Sequence, residues 1–597
     1  MCAIFGIVGS YDGAAAERAF SLLRDRGMDG SASISGDGFF LGSHRLAITS
    51  AGQPMDQPCS REGLHLIFNG EIYNYRELAA ELDLEGSGEA DVLLACYQRR
   101  GESFVRDLRG MYAIAIYDDG ILKLYRDPPG KKPLYYRQTP EAFSFASEIK
   151  ALLQKGEQRI DRERIPAYLS FRSPVAPHTF YRDIRQLGAG EMLLYDGALC
   201  RTRTISPLLS AASTVTSEEE ALDIVEKALE EAVEIRTPRE VPFAALLSGG
   251  LDSSLVSAIA AREGPLRTYC IGYEGYENYD ERRYAAETAE YIGSDHREVL
   301  FKKEDFFQSI EAVLNTLDEP LADPAMFPLY HLMGRMADEG IKVVLTGDGS
   351  DELFMGYRSY FEYADLEQLA SLQRKNWLRK QLKAHFSMHR EWEWHKRVLE
   401  GTLLFRGSAE LFTDQQQNRL LKRNIRENRS LSVIEAYRKA FEASGRRAAA
   451  DWYSYLDIKI LLGELFLKKL DRMSMANGIE ARSPFLDRDL LHAAFAIDPD
   501  LRMGSEPKHL IKTIAKHYLP ASIIQRRKKG FNYPFMEWLR EENALAVIER
   551  VQRETGLFRD EHLRYLLQKG EQGMFRQHLF SLFMLCSWIE TREKELR

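Results

Sequence analysis

The sequence predicts two domains, the second a doubly wound parallel α/β sheet with extra helices. Three observations carry that prediction. The apolar run 243–247 has the length and hydrophobicity of a buried parallel strand, and a Ser-Gly-Gly turn and a helical pattern over 253–262 follow it. Two more such runs, 268–272 and 342–346, alternate with helical patterns, as a parallel sheet with crossover helices requires. The chain has 597 residues, and a Pro- and Gly-punctuated stretch over 151–205 sets its first third apart. That stretch reads as linker and hairpin. The expected units are therefore 1–205 and 206–597.

The first strand leads into Leu246-Leu247-Ser248-Gly249-Gly250-Leu251-Asp252-Ser253-Ser254. Paired glycines let the backbone approach a ligand closely. The helix start adds free N–H groups and a partial positive charge, which suit phosphate or pyrophosphate. Asp252 would repel such a group unless a cation lay between them, which points to Mg²⁺. No Gly-Lys-Ser/Thr follows, so this is not a Walker A loop. The stretch resembles the pyrophosphate loop of the ATP pyrophosphatase enzymes, which make adenylates and release pyrophosphate. The resemblance implies ATP contacts at Ser248, Gly249, Gly250, Asp252 and Ser253.

The run 342–346 ends in Gly347-Asp348-Gly349-Ser350-Asp351-Glu352. Ligands of open α/β sheets sit at the carboxyl ends of the strands. Acids clustered there are costly unless they meet a cation or a cationic substrate. Asp351 with Asp252 gives a two-carboxylate Mg²⁺ site that leaves room for pyrophosphate oxygens. Downstream comes Arg526-Arg527-Lys528-Lys529-Gly530-Phe531. A buried lysine beside a pyrophosphate leaving group would stabilise its charge, and Lys528 is the candidate. The segment 218–235, acidic and apolar at helical spacing, reads as a helix packed beside the nucleotide strand. The long, charged, aromatic-rich helical segments between about 360 and 465 read as structural.

Composition narrows the class. Hydrophobic residues at 45% and charged residues at 28% suit a soluble globular protein. The net charge of −9 argues against nucleic acid as the main partner. No apolar run reaches the roughly 20 residues of a transmembrane helix, so no membrane partner is expected. The N-terminal Met-Cys-Ala-Ile-Phe-Gly lacks the basic region of a signal peptide. The six cysteines (2, 59, 96, 200, 270 and 586) are scattered, with no metal-type spacing. A reduced, cytoplasmic setting follows.

Cys2 follows the initiator Met. Removal of that Met would leave a cysteine with a free α-amine, whose reference pKa is near ~8. One residue then supplies both a nucleophile and the base that activates it. Alone, a cysteine at position two means little, but this one has company. A thiolate attacking an amide needs donors aimed at the developing oxyanion, and the Asn69 amide and Gly70 N–H suit that role. An α-amino acid substrate needs a cation for its carboxylate, which Arg45 supplies, and an anion for its ammonium, which Glu71 and Glu89 supply.

With Arg26-Gly27-Met28-Asp29-Gly30, His44-Arg45-Leu46, Asn69-Gly70-Glu71-Ile72-Tyr73-Asn74-Tyr75, Arg126-Asp127 and Phe145-Ala146-Ser147-Glu148, residues 1–150 resemble the glutaminase domain of the class II, N-terminal-nucleophile glutamine amidotransferases. The resemblance implies an N-terminal αββα sandwich of the Ntn hydrolase type. It makes Cys2 the nucleophile, Asn69 and Gly70 the oxyanion hole, and Arg45, Glu71 and Glu89 the glutamine site. Three positions depart from the usual pattern. Met28 stands where proline is usual, Glu89 where aspartate is usual, and Pro128 where arginine is common.

Gly347-Asp348-Gly349-Ser350-Asp351-Glu352-Leu353-Phe354, Asp471-Arg472-Met473-Ser474-Met475, Arg482-Ser483-Pro484-Phe485-Leu486-Asp487 and Lys528-Lys529-Gly530-Phe531 extend the resemblance over nearly the whole chain. Together the two ends resemble the glutamine-hydrolysing asparagine synthetases. That implies ATP contacts at Leu246, Ile271, Thr346 and Gly347 as well, and a role for Asp348 in forming an acyl adenylate. It implies glutamine, ATP with Mg²⁺, and aspartate as small-molecule partners, with a homodimer possible. Relatives of this architecture amidate sugar carboxylates or peptide and antibiotic precursors, so the acceptor stays open between aspartate and those. Intact Cys2, Asn69, Gly70, Asp252 and Asp351 weigh against a non-enzymatic protein on a decayed scaffold. Ammonia is mostly protonated near neutral pH, so an internal passage between the two sites is expected.

Overall fold

The computed structural model describes residues 2–49, 55–153, 160–209, 213–368, 377, 390–423, 429–526 and 532–596. Its first part holds twelve strands: β1 (Cys2–Gly9), β2 (Gly30–Gly36), β3 (Phe39–Arg45), β4 (Cys59–Arg61), β5 (Leu64–Ile72), β6 (Gly110–Asp118), β7 (Ile121–Arg126), β8 (Tyr135–Gln138), β9 (Ala142–Ala146), β10 (Ile184–Gln186), β11 (Glu191–Tyr195) and β12 (Cys200–Thr204). They form two antiparallel six-stranded sheets, ordered β10-β8-β9-β1-β3-β2 and β12-β11-β7-β6-β5-β4.

Strand periodicity explains why the sheets stack. Successive side chains point to opposite faces. On β1, Ile4 and Val8 join Ile67 of β5 and Ala113 and Ala115 of β6 in the layer between the sheets. Ala3 and Phe5 face the other way, onto Ala16 and Phe20 of the helix Gly13–Ser21. On β5, Leu66 and Phe68 pack under the helix Glu89–Arg100 through Val92, Leu93 and Cys96. Helix, sheet, sheet, helix is the αββα arrangement that the resemblance implies.

The stretch 160–204 differs from the linker expected there. Its β10 closes the first sheet on β8, and β11 and β12 extend the second from β7. Of its three short strands, β10 and β12 lie at sheet edges, where strands are kept short and polar and so look like loop in sequence, while β11 lies between β7 and β12. The hairpin expected there is β11–β12.

The second part carries five strands, β13 (Phe243–Leu246), β14 (Arg267–Gly272), β15 (Asp295–Leu300), β16 (Val343–Leu345) and β17 (Glu480–Arg482), all parallel in the order β15-β14-β13-β16-β17. The chain runs outward from β13 to β15, then returns to β13's other side as β16. A crevice therefore opens between the carboxyl ends of β13 and β16, where ligands of such sheets bind. The helix Glu218–Glu234, begun by the Ser217 side chain on the Glu220 N–H, packs Val225, Leu229 and Val233 into the common core.

Buried ion pairs join the two parts. Arg26 binds Glu148 at 3.0 Å and Asp471 at 2.7 Å, and Arg472 binds Glu148 at 2.6 Å and Asp318 at 2.8 Å. Asp487 holds Arg109 at 3.0 Å and Arg236 at 2.8 Å. Removing one partner of such a buried pair typically costs about 3–5 kcal/mol, because it strands the other charge. These contacts fix the two sites relative to each other.

Candidate active sites

Cys2 opens β1 opposite Arg45 in register, so nucleophile and cation share one sheet edge. Asn69 lies on neighbouring β5 and is fully buried. Its Oδ1 accepts the Cys2 N–H at 3.3 Å. Its Nδ2 has no hydrogen-bond partner. A buried amide left unsatisfied is costly, and here it is a donor held beside the thiol. Gly70 comes next, and a Cβ there would lie 2.0 Å from the Met111 carbonyl oxygen. Only glycine lets β5 run this close to β6 here. Gln57 completes the setting: its Oε1 accepts the Phe68 N–H at 2.7 Å and its Nε2 points at Cys2 Sγ from 4.0 Å.

Cys2, Gln57 and Gly70 line a cavity of about 630 Å³ that also takes in Arg45, Thr49, Asp56, Glu71 and Glu89. The three glutamine-site residues expected from sequence therefore come together around Cys2. Arg45 donates from Nη2 to the Thr49 carbonyl at 3.0 Å. Glu71 accepts from the Thr49 hydroxyl and meets Arg482 at 3.3 Å. Glu89 stands at the start of its helix and accepts the Ile72 N–H at 2.9 Å. Burial raises the proton affinity of Glu71, with Arg482 opposing. Burial and Glu71 raise that of Glu89 further. An ammonium group entering the cavity would relieve both. Burial also pushes the Cys2 thiol up, against the pull of the chain's own amine and of Arg45.

The second site stands at the crevice. Leu246 ends β13, and Ser248 to Gly250 turn into the helix Leu251–Arg262. Gly249 has φ +71°, and a Cβ there would sit 2.6 Å from the Tyr284 backbone. Ser248 and Ser253 hold each other at 3.0 Å, and the Gly250 N–H reaches Ser248 Oγ at 3.3 Å, which closes the loop on itself. Arg526 donates to the Gly249 carbonyl and lies over the Tyr284 ring. Across the crevice, a Cβ on Gly347 would come 2.9 Å from the Ser253 nitrogen, so this loop packs on the helix start. The Thr346 N–H binds the Arg482 carbonyl at 2.9 Å. Asp348 follows, half-buried at the same end. Ile271 lies on adjacent β14.

Asp252 and Asp351 do meet, but through a cation of the protein itself. Lys508 Nζ donates to Asp252 Oδ2 and lies 2.8 Å from Asp351 Oδ1. The two carboxylates hold this buried ammonium well above the usual lysine range, against its burial. Among the described residues, buried Asp252 Oδ1 has no hydrogen-bond partner. Among the described residues, no group of three or more His, Cys, Asp or Glu could hold a metal ion alone. Mg²⁺ needs only one or two carboxylates where phosphates supply the rest. The orphan oxygen of Asp252 with Asp351 fits that donor set.

Lys528 lies outside the described residues. Lys508 is the buried lysine at this site, and the sequence carries no signal for it. It has φ +59° just before the helix His509–Ala515, and its partners are more than 150 residues away. Gln57 and Arg482 are likewise set by pairing across the fold rather than by local pattern.

The asparagine synthase family model matches residues 224–590, and the glutamine amidotransferase domain model matches residues 1–204. The chain belongs to the asparagine synthase family. Asparagine synthetase [glutamine-hydrolyzing] 1 of Bacillus subtilis (strain 168) is 31% identical over 534 residues, covering 85% of this chain and 82% of that protein. Asparagine synthetase B [glutamine-hydrolyzing] of Escherichia coli (strain K12) is 27% identical over 601 residues, 94% of this chain and 87% of that one. A protein named Amidase chyE, from Penicillium rubens, is 28% identical over 588 residues, 87% of this chain and 85% of its own. Among the family's two halves, the amidotransferase model thus ends at the last strand of the sandwich and the synthase model begins within the helix Glu218–Glu234.

Proposed function

We propose that this protein is a glutamine-dependent asparagine synthetase of the cytoplasm. It is an ATP-dependent, glutamine-hydrolysing ligase of the asparagine synthase family. The observation that carries the two-site reading is Arg482, and the similarity to the asparagine synthetases supports aspartate as the acceptor. The Arg482 guanidinium meets Glu71 in the glutamine cavity at 3.3 Å, while its carbonyl accepts the Thr346 N–H at the nucleotide crevice at 2.9 Å. One residue of β17 thus belongs to both sites, as a reaction split between them requires.

In the first site, Cys2 Sγ attacks the side-chain amide carbon of glutamine. The developing oxyanion is met by Asn69 Nδ2 and the Gly70 N–H. Burial holds the thiol proton, so the α-amine freed by removal of Met1 takes it and passes it to the leaving nitrogen. Ammonia departs, and water releases glutamate from the thioester. In the second site, the β-carboxylate of aspartate attacks the α-phosphorus of ATP and pyrophosphate leaves. The helix start at Leu251 and Lys508 face that charge. Mg²⁺ bound by Asp252 and Asp351 would neutralise charge on the phosphates. Ammonia then displaces AMP from the β-aspartyl adenylate. Ammonium in water would be lost to this step, so a buried route between the domains is part of the reading.

The test is pyrophosphate release with glutamine, ATP and Mg²⁺, with and without aspartate, and mass detection of the product. Asparagine and AMP formed one for one are expected. Glutamate release with no aspartate-dependent pyrophosphate would overturn asparagine as the product. It would favour the second reading, amidation of another carboxylate such as a sugar acid or a peptide. The similarity to Amidase chyE, near that to the asparagine synthetases, supports keeping that reading.

A further inference from the structure

The loop between β7 and β8 carries two adjacent lysines that part ways. Lys132 pairs with Asp471 at 3.6 Å. Lys131 is as buried as a core residue, and its Nζ donates to Ser483 Oγ at 3.0 Å. Among the described residues it makes no ion pair. A buried lysine without a counter-ion is costly, and Ser483 already has a partner in Thr346 Oγ1 at 3.0 Å. Packing therefore does not account for it.

Its place in the fold does. Lys131 belongs to the first domain, yet its amine rests on Ser483, the residue after Arg482. Arg482 faces the glutamine cavity through Glu71. Ser483 faces the nucleotide crevice through Thr346, two residues before Asp348. The amine thus stands between the site that makes ammonia and the site that consumes it. The charged groups around it are Lys132, Arg236, Asp348 and Glu480. Burial and the two cations outweigh the two acids and favour the neutral amine.

We propose that Lys131 takes the proton that ammonia sheds in the amide-forming step. This rests on the function proposed above. The lone pair of ammonia forms the C–N bond to the acyl carbon, and the carbonyl π pair moves onto oxygen. One N–H proton passes to Lys131 Nζ, which becomes an ammonium. The carbonyl re-forms, the acyl C–O bond breaks, and AMP leaves with that electron pair. The dianionic phosphate of AMP, whose second ionisation lies near pH 6, carries the proton away and restores the amine. A residue of the hydrolysing domain thereby takes part in the other domain's chemistry.

The test uses the full chain with aspartate as acceptor. Lys131→Met removes the amine but keeps the volume. Glutamate release from glutamine, and pyrophosphate formed in the first turnover, should stay within about twofold of wild type, while amide formed per pyrophosphate falls about 10–100-fold. With ammonium chloride as donor and rates plotted against free NH₃, the wild type should rise with pH and the variant should lose that rise. Lys131→Arg keeps a donor for Ser483 but stays charged, so it should be as impaired as Lys131→Met. Rescue by arginine, or a wild-type amide yield in Lys131→Met, overturns the proposal. Should Lys131→Met not fold, Ser483→Ala, which frees the amine from its anchor, should lower the same ratio severalfold, and an unchanged ratio overturns it. A wild type that releases no aspartate-dependent pyrophosphate would instead overturn the function proposed above, before any variant is made.

Discussion

In the glutamine cavity, buried Glu71 and half-buried Glu89 have raised proton affinity, whereas at the nucleotide crevice Asp252 and Asp351 already share the ammonium of Lys508. The first site pairs Glu71 with Arg482 but sets Glu89 beside it, and gains when a cationic group enters. The second closes its charge internally and must rearrange when phosphates and a metal arrive. The backbone follows the same division. Paired antiparallel strands hold Cys2 and Gly70 in a preformed cavity of about 630 Å³, with Asn69 behind them. Turns at the ends of parallel strands carry the nucleotide residues. A site open in charge is expected to bind a defined small cation with little motion, and a self-neutralised one to couple binding to movement.

Independence of the two sites is the first part of this contrast to break. Cys2→Ala should lower glutamine-dependent amide formation by at least about 10³-fold, with synthesis from added ammonium kept. Parallel assays with the two nitrogen donors decide it, and equal loss of both would mean that the sites are not separate. The next largest effect belongs to Lys508. Lys508→Met should cut pyrophosphate release about 10²–10³-fold, because it removes a charge facing the leaving group and strands two carboxylates. Glutamate release should persist. If Lys508 only neutralises Asp252 and Asp351 in the empty site, Lys508→Met should lower the thermal midpoint and leave pyrophosphate release near wild type; loss of release in a protein that still melts cooperatively keeps Lys508 in the chemistry.

Glu89 tests the open site. Its carboxyl is protonated over a wider pH range in the empty protein than in a free peptide, because burial and Glu71 raise its pKa. An ammonium is bound by the ionised form. The KM for glutamine should therefore fall as pH rises through that ionisation, with kcat moving less. Glu89→Gln should raise KM about 10-fold or more and flatten the dependence. Initial rates of glutamate release across pH 6–9 would check it. A Glu89→Gln profile parallel to wild type would assign the ammonium to another acid, Glu71 or Asp56, both of which line the cavity.

Much of both sites was legible in the sequence, for a physical reason. The pyrophosphate turn needs glycines beside a strand end and hydroxyls at a helix start, and these are contiguous. Cys2, Asn69 and Gly70 sit on or beside apolar runs that are themselves legible as strands. What was hidden depends on distant pairing. Lys508 is identified only by carboxylates 256 and 157 residues earlier, at Asp252 and Asp351. The segment 160–204 reads as linker and hairpin because its strands are short and two of them, β10 and β12, are edge strands, where polar faces are normal. Met28, one of three departures from the usual pattern, proves exposed at 61%, so losing the proline there costs no core packing. Pro128 offers its carbonyl to Lys459 at 2.9 Å, so a lysine of the second domain meets the position where arginine is common.

Glu352 gives the smallest and sharpest test of the contrast. It stands one residue after Asp351, buried, and accepts the Tyr357 hydroxyl at 2.6 Å. Burial and Asp351 push its carboxyl up to about 8, and Lys508, held by Asp252 and Asp351, does not pair with it. The sign follows from proton linkage. Between the unfolded value near ~4.3 and the folded value of about 8, the folded protein holds a proton that the unfolded chain has lost. Stability should therefore fall as pH rises through that window. Glu352→Gln keeps an oxygen for Tyr357 and has no proton to lose. It should be nearly neutral at pH 5 and more stable than wild type by about 1–2 kcal/mol at pH 8, a rise of a few degrees in thermal midpoint. Melting curves of both proteins at the two pH values measure it. An equal gain at pH 5 and pH 8 would mean that Glu352 is ionised throughout, that Lys508 serves three carboxylates rather than two, and that the crevice is closed in charge as a whole.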